Sequence, residues 1–165
     1  MKKLFIIRHA KSSWKDTKLR DFDRPLNKRG EDNLKMMSKF FSEKYETPDL
    51  ILSSPAKRAK LTAIGFANRL NYKVEDICFN ENLYMASAGN IKEILSEQKD
   101  ENKTLMLFGH NPGLTDFVNI YSNQYLENIP TCGIVILETE KKWNELTEKS
   151  LIIKDYFFPK MMNEN

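Results

Sequence analysis

The chain contains two histidines, and each lies just past a short apolar run. His9 follows Arg8 directly after Leu4-Phe5-Ile6-Ile7, and His110 follows Gly109 after Leu105-Met106-Leu107-Phe108. A third run, Leu50-Ile51-Leu52, leads through Ser54-Pro55 to Arg58. If the three runs are neighbouring strands, two imidazoles and two guanidiniums meet at one end of a sheet. Such a cluster, with no evident carboxylate at its centre, suits a doubly charged oxyanion, of which phosphate is the commonest. Ser54-Pro55 and Asn111-Pro112 have the pattern of a cap followed by proline at the first helical position. Helix starts there would bring backbone N–H groups and positive dipole ends to the same place, with Asn111 among the candidate phosphate ligands.

Each feature has a plainer reading when taken singly. A histidine after a strand is commonly a loop or core residue, and an arginine in the first turn of a helix is disfavoured by the dipole. Recurrence at three strand ends is what argues for a site. Paired histidines also suggest a metal, but HxxxH and HxxE spacings are absent and the arginines would repel a cation. No metal and no cofactor are expected.

The elements that must hold these residues alternate between strand and helix. After the first strand, a polar loop runs from Lys11 to about Pro25, and a helix is expected from about Asn27 to Lys44, with Leu34, Met37 and Phe41 on one face. Asp49 to Leu52 is the second strand, followed by a helix from Pro55 with Ala59, Ala63, Phe66, Ala67 and Leu70 inward. A strand at Asp76–Phe79, a helix at Asn90–Ser96, the Leu105–Phe108 strand and a helix from Pro112 come next. Gly133–Thr139 and Leu151–Phe157 supply two late strands, and Lys160–Asn165 a frayed terminus. This alternation predicts a single α/β domain over residues 1–165, a three-layer α/β/α sandwich with a mostly parallel central sheet. Ligands in such folds collect at the carboxyl ends of the strands, where Arg8, His9, Arg58 and His110 fall.

Composition narrows the function classes. With 41% hydrophobic and 30% charged residues, the 165-residue chain is an ordinary globular protein. Its net charge of +3 is too small to argue for nucleic acid. The longest stretch free of charged residues, Thr104 to Thr115, is too short for a membrane span, which takes about 20 apolar residues. The apolar run after Lys2-Lys3 is cut by Arg8-His9, short of the roughly 7–15 residues of a signal h-region, so a cytoplasmic location is expected. Cys78 and Cys132 form no CxxC pair and are expected to be buried free thiols.

Four ordered segments carry a resemblance to a known family. "LFIIRHAKS" (Leu4–Ser12), "DRPLNKRG" (Asp23–Gly30), "LSSPAKRAKLTA" (Leu52–Ala63) and "LMLFGHNPGLTDF" (Leu105–Phe117) resemble the motifs of the histidine phosphatase superfamily. Ala10 stands where the usual signature is Arg-His-Gly, a variant similar to the SixA-type phosphohistidine phosphatases. The resemblance implies a phosphoglycerate mutase-like fold and metal-independent catalysis. His9 would be the nucleophile, forming a phosphohistidine intermediate that water hydrolyses. Arg8, Arg58 and His110 would bind the phosphoryl oxygens and stabilise their charge in the transition state.

One departure bears on the substrate. Many phosphomonoesterases and mutases of the superfamily carry a glutamate acid/base after the third strand, and Met85 falls at that position here. Without a proton donor, expulsion of an alkoxide should slow by about 10²- to 10⁴-fold. Protonated phosphohistidine leaves as neutral imidazole and needs such an acid less. Glu81, Asp21 and Asp23 are the substitute carboxylates to consider. The expected substrate is therefore a phosphorylated protein carrying phosphohistidine, with a small phosphorylated metabolite or a non-catalytic phospho-binding role as alternatives. Neither nucleic acid nor membrane is expected as a partner. The loop lysines and arginines Lys11, Lys15, Lys18, Arg20 and Arg24 are either a rim that guides an anion or a solvated loop anchored by Trp14.

Overall fold

The computed structural model describes residues 1–163. Strands β1 (Lys2–Arg8), β2 (Leu50–Ser53), β3 (Cys78–Phe79), β4 (Thr104–Gly109), β5 (Ile134–Thr139) and β6 (Ile152–Phe157) form one sheet in the order β3-β2-β4-β1-β5-β6. Pairing is parallel from β3 through β2 and β4 to β1, and β5 is antiparallel to both its neighbours. Among the described strands β5 alone runs against the rest, so the sheet is mixed but mostly parallel. The carboxyl ends of β1, β2 and β4 lie side by side, with Arg8 in register with Gly109 and Ser53 with Phe108.

Both faces of the sheet are covered, which is why its central strands read as unbroken apolar runs. Leu4 and Ile6 of β1 pack with α3 (Ala88–Ser96) and α4 (Gly113–Tyr121) on one side. Phe5 and Ile7 point to the other, against α1 (Lys28–Lys44) and α2 (Lys57–Arg69). Leu105 and Leu107 of β4 alternate with Met106 and Phe108 in the same way, so the period of two divides one strand between two cores. The result is the expected α/β/α sandwich. Among the described residues, no helix is long and apolar enough to cross a membrane.

Several local expectations shift. The two prolines are not the first helical residues: α2 starts at Lys57 after Ala56, and α4 at Gly113 after Pro112. Ser54 does not cap α2, whereas Asn111 Oδ1 still accepts from Thr115 N–H in the first turn of α4. Helix α3 starts earlier than expected because Ser87 and Asn90 form a reciprocal capping box. Cys132 is buried but Cys78 is exposed, because β3 is a two-residue edge strand in which both residues remain exposed. Pro159–Met162 is a turn of helix (α5) rather than frayed chain, and residues 164 and 165 of the expected tail lie outside the described residues.

Two glycines fix how closely the site loops approach the helices. A Cβ at Gly30, in the first turn of α1, would run into the carbonyl oxygen of Lys11, just past His9. One at Gly113, at the start of α4, would run into the carbonyl oxygen of Ala86. Gly30→Ala should therefore destabilise the protein. Alanine's helix-propensity gain of about 1 kcal/mol is set against an overpacking cost of about 1–3 kcal/mol, with rigid backbone as the obstacle. A lower denaturant midpoint with an unchanged m-value is the expected result. An equal or higher midpoint would show that the loop gives way.

Candidate active site

The backbone around His9 is held from three directions. Its N–H donates to Gly109 O at the end of β4, and its carbonyl, with that of Arg8, accepts from the N–H of Cys132. Ala10 N–H donates to Thr62 Oγ1 on α2, and Thr62 in turn donates to Arg58 O. The imidazole is buried, and its Nδ1 lies 2.7 Å from Ala10 O. A carbonyl can only accept, so Nδ1 carries the proton and Nε2 keeps its lone pair. Burial, together with the charges of Arg58 and Arg8, pushes the His9 pKa down to about 4, against a raising effect of the Ala10 hydrogen bond. The ring is therefore neutral and nucleophilic at neutral pH.

His110 stands next to it, with ring centroids 5.1 Å apart. Burial, then repulsion from His9 and Arg58, pushes its pKa down to about 3. Its Nε2 is 2.8 Å from the hydroxyl of Ser54, and its Nδ1 is buried without a protein partner. Arg8 donates from Nη1 to Ile129 O, while its Nε is also buried without a partner. Unpaired nitrogens of this kind are costly unless a ligand completes them. Both residues line a hollow of about 280 Å³ shared with His9, Lys11 and Arg58.

Arg58 comes from the first turn of α2, as the sequence places it. Its Nη1 donates to Asp21 O at 2.7 Å, and its Nη2 to Asp21 Oδ2 at 2.9 Å. Tyr84 also donates its hydroxyl to Asp21 Oδ2. Burial raises the Asp21 pKa, but the hydrogen bonds from Tyr84 and Arg58 outweigh it and hold the carboxyl below its ordinary value. Asp21 is thus brought into the site as an anion that orients Arg58, which is the wrong charge state for a general acid. Tyr84 carries no motif of its own, and nothing local in the sequence pairs it with a residue 63 positions away.

The remaining candidates separate. Asn111 lines the hollow, but its amide is used internally: Nδ2 donates to Asn128 Oδ1 and Ile129 O, and Oδ1 accepts from Thr115. Its side chain ties α4 to the segment before β5. Glu81 is exposed on a 3-10 turn (Glu81–Leu83) and lines neither this hollow nor the next. Asp23 pairs with Arg20 at the surface. Met85 is exposed, with φ at 56°, on the wall of an adjoining hollow of about 510 Å³ that shares Asp21, Arg58 and His110 with the first.

The loop from Lys11 to Pro25 reverses the expected anchor. Arg24 is buried, donates to the carbonyls of Asp16 and Leu19, and lies 3.9 Å under the Trp14 ring. Trp14 itself is largely exposed, so the arginine holds the loop and the tryptophan covers it. Lys11, Ser12 and Trp14 reach the wall of the phosphate-sized hollow.

Two guanidiniums and two buried imidazoles around one hollow make a site suited to an oxyanion. The sequence model of the histidine phosphatase superfamily (branch 1) matches residues 4–112, and the chain belongs to that family. SixA from Agrobacterium tumefaciens has the same fold at TM-score 0.83 and 26% identity, over 96% of this chain and 98% of its own. A protein histidine phosphatase SixA solved with tungstate matches at TM-score 0.83 and 18% identity, over 97% of this chain and 99% of its own, a likeness of fold. An uncharacterized chloroplastic protein of Arabidopsis thaliana is 30% identical over 87% of this chain and 70% of its own length. The chain is accordingly a hydrolase of the phosphatase class, with the phosphoglycerate mutase-like fold of its SixA neighbours.

The neutral histidines tie stability to pH. Each binds a proton near pH 6.5 when unfolded but only near pH 4 (His9) or 3 (His110) when folded. The unfolded state therefore holds more protons between these limits, and their contribution, complete above about pH 6.5, is lost as pH falls toward 4. Melting temperature in the absence of phosphate should drop across that window, and less so in His9→Asn and His110→Asn. Equal slopes in parent and variants would contradict the buried neutral imidazoles.

Proposed function

We propose that this phosphatase works through a phosphohistidine at His9 and removes phosphate from phosphohistidine in a protein. The observation that carries the mechanism is the 2.7 Å bond from His9 Nδ1–H to Ala10 O, which leaves Nε2 as the attacking atom. Nε2 forms a bond to phosphorus as the bond to the leaving nitrogen breaks. The Nδ1–H···O contact supports the positive character the ring then acquires. Arg8, Arg58 and His110 hold the phosphoryl oxygens, so the work is positioning and charge stabilisation. In the second half, water adds to phosphorus, the P–Nε2 bond breaks, and the products are phosphate and neutral His9.

The substrate class rests on the leaving group. Asp21 is held anionic, Glu81 lies away from the hollows, and Met85 offers no proton. A phosphohistidine that carries its own proton on the far ring nitrogen departs as neutral imidazole without enzymic help. An anionic Asp21 at the junction of the two hollows also favours a substrate whose ring carries a positive charge over an acidic one such as a phosphorylated carboxylic acid. Proteins named as phosphatases of histidine and as 2,3-bisphosphoglycerate-dependent mutases both occur among the relatives, the latter 32% identical in Bifidobacterium longum over 63% of this chain and 45% of their own length. The mutases thus match over only part of either chain.

A panel of substrates tests this reading. Phosphohistidine protein, phosphoramidate and activated aryl phosphate should be cleaved, and alkyl or sugar phosphates should be slower by about 10²-fold or more. The slope of log kcat/KM against leaving-group basicity should stay steep in Asp21→Asn and Glu81→Gln. A flat slope in the parent that steepens in either variant would reveal a working acid and overturn the preference for phosphohistidine.

A further inference from the structure

The Ser54 side chain has no place in the capping role its sequence suggests, since α2 starts three residues later. It is fully buried between the ends of β2 and β4, where its N–H donates to Phe108 O. Its hydroxyl accepts from Ala56 N–H at 3.2 Å and lies 2.8 Å from His110 Nε2. Among the described residues these are the only partners of Ser54 Oγ.

A hydroxyl has one proton, and only one partner here can take it. Ala56 N–H is a donor, so the Ser54 proton points to His110 Nε2 as acceptor. That choice puts the ring proton of His110 on Nδ1, the buried nitrogen without a protein partner. The opposite tautomer would leave the Ser54 proton with no acceptor in a fully buried position. It would also leave Nδ1 with only a lone pair to offer an anion, which repels. Both arrangements fill the same space, and only the first is complete once a phosphoryl oxygen arrives.

We propose that Ser54 is a positioning residue that fixes His110 as the Nδ1–H tautomer, making a neutral imidazole a hydrogen-bond donor to the phosphoryl group. This builds on the phosphatase reading of the same site, but the tautomer itself is a property of the resting protein. Burial keeps His110 uncharged at neutral pH, so its value to the anion depends on which nitrogen carries the proton. His9 receives its tautomer from a backbone carbonyl, which substitution cannot remove. His110 receives its own from a side chain, which can be removed.

Nitrogen-15 NMR of histidine-labelled protein at neutral pH reads the tautomer directly. With two histidines in the chain, a His110→Asn spectrum assigns the signals by difference. The parent should show His110 protonated at Nδ1 and unprotonated at Nε2. In Ser54→Ala the proton should redistribute toward Nε2 and kcat/KM should fall about 10-fold, with Ser54→Thr restoring both. His110 protonated at Nε2 in the parent would overturn the proposal, and that spectrum decides whether or not the alanine variant folds. An unchanged tautomer in a folded Ser54→Ala protein would overturn it too, as would a shifted tautomer with unchanged kcat/KM. If the parent hydrolysed no phosphate at all, the phosphatase reading would fail while the spectrum still decided the role of Ser54.

Discussion

Crowding of positive charge is the constraint around which this structure is arranged. Arg8, Arg58, His9 and His110 converge on one hollow, and four cations there would repel one another strongly in a poorly solvated space. The fold answers in two ways. Both imidazoles are buried and kept neutral, which removes two of the charges. Arg58 is paired with Asp21, which is itself held by Tyr84 from a different segment. What remains is a net positive cradle in which Arg8 Nε and His110 Nδ1 are buried without a partner among the described residues.

That balance needs tight placement, and the backbone supplies it. Parallel pairing sets the ends of β2, β4 and β1 side by side, so three chain reversals deliver their first residues to one point. Cys132 N–H, Gly109 O and Thr62 Oγ1 then hold the His9 segment at the junction of β5, β4 and α2. Gly30 and Gly113 let the helix starts approach carbonyls that any side chain would push away. None of these contacts touches the phosphate. They determine whether the groups that do are within reach.

How much of this is legible in the sequence follows from the range of each interaction. Strand runs and helical stripes are local patterns, so β1, β2, β4 and the facing of α1 and α2 follow from them. Arg8, His9, Arg58 and His110 are legible because each sits beside such a run, and parallel pairing does the rest. The pairing of Asp21 with Arg58 and Tyr84 joins three segments and has no sequence signal. Ser54 looks like a cap because serine before proline usually is, and here a tertiary partner, His110, engages its hydroxyl; Asn111 keeps a bond to the α4 start, but its amide nitrogen goes to Asn128 and Ile129, which no local pattern reveals. The exposure of Cys78 depends on β3 ending after two residues at the sheet edge, which its composition does not reveal.

In the proposed reaction His9 Nε2 becomes covalently bonded to phosphorus during turnover. Rapid quenching of the enzyme with a labelled phosphohistidine or phosphoramidate substrate, followed by peptide mapping under alkaline conditions, tests it most directly. An acid-labile, base-stable phosphoryl group should appear on His9 and form and decay at rates consistent with kcat. Stable label on any other residue, or turnover with no phosphoenzyme formed at His9 on that timescale, would contradict it.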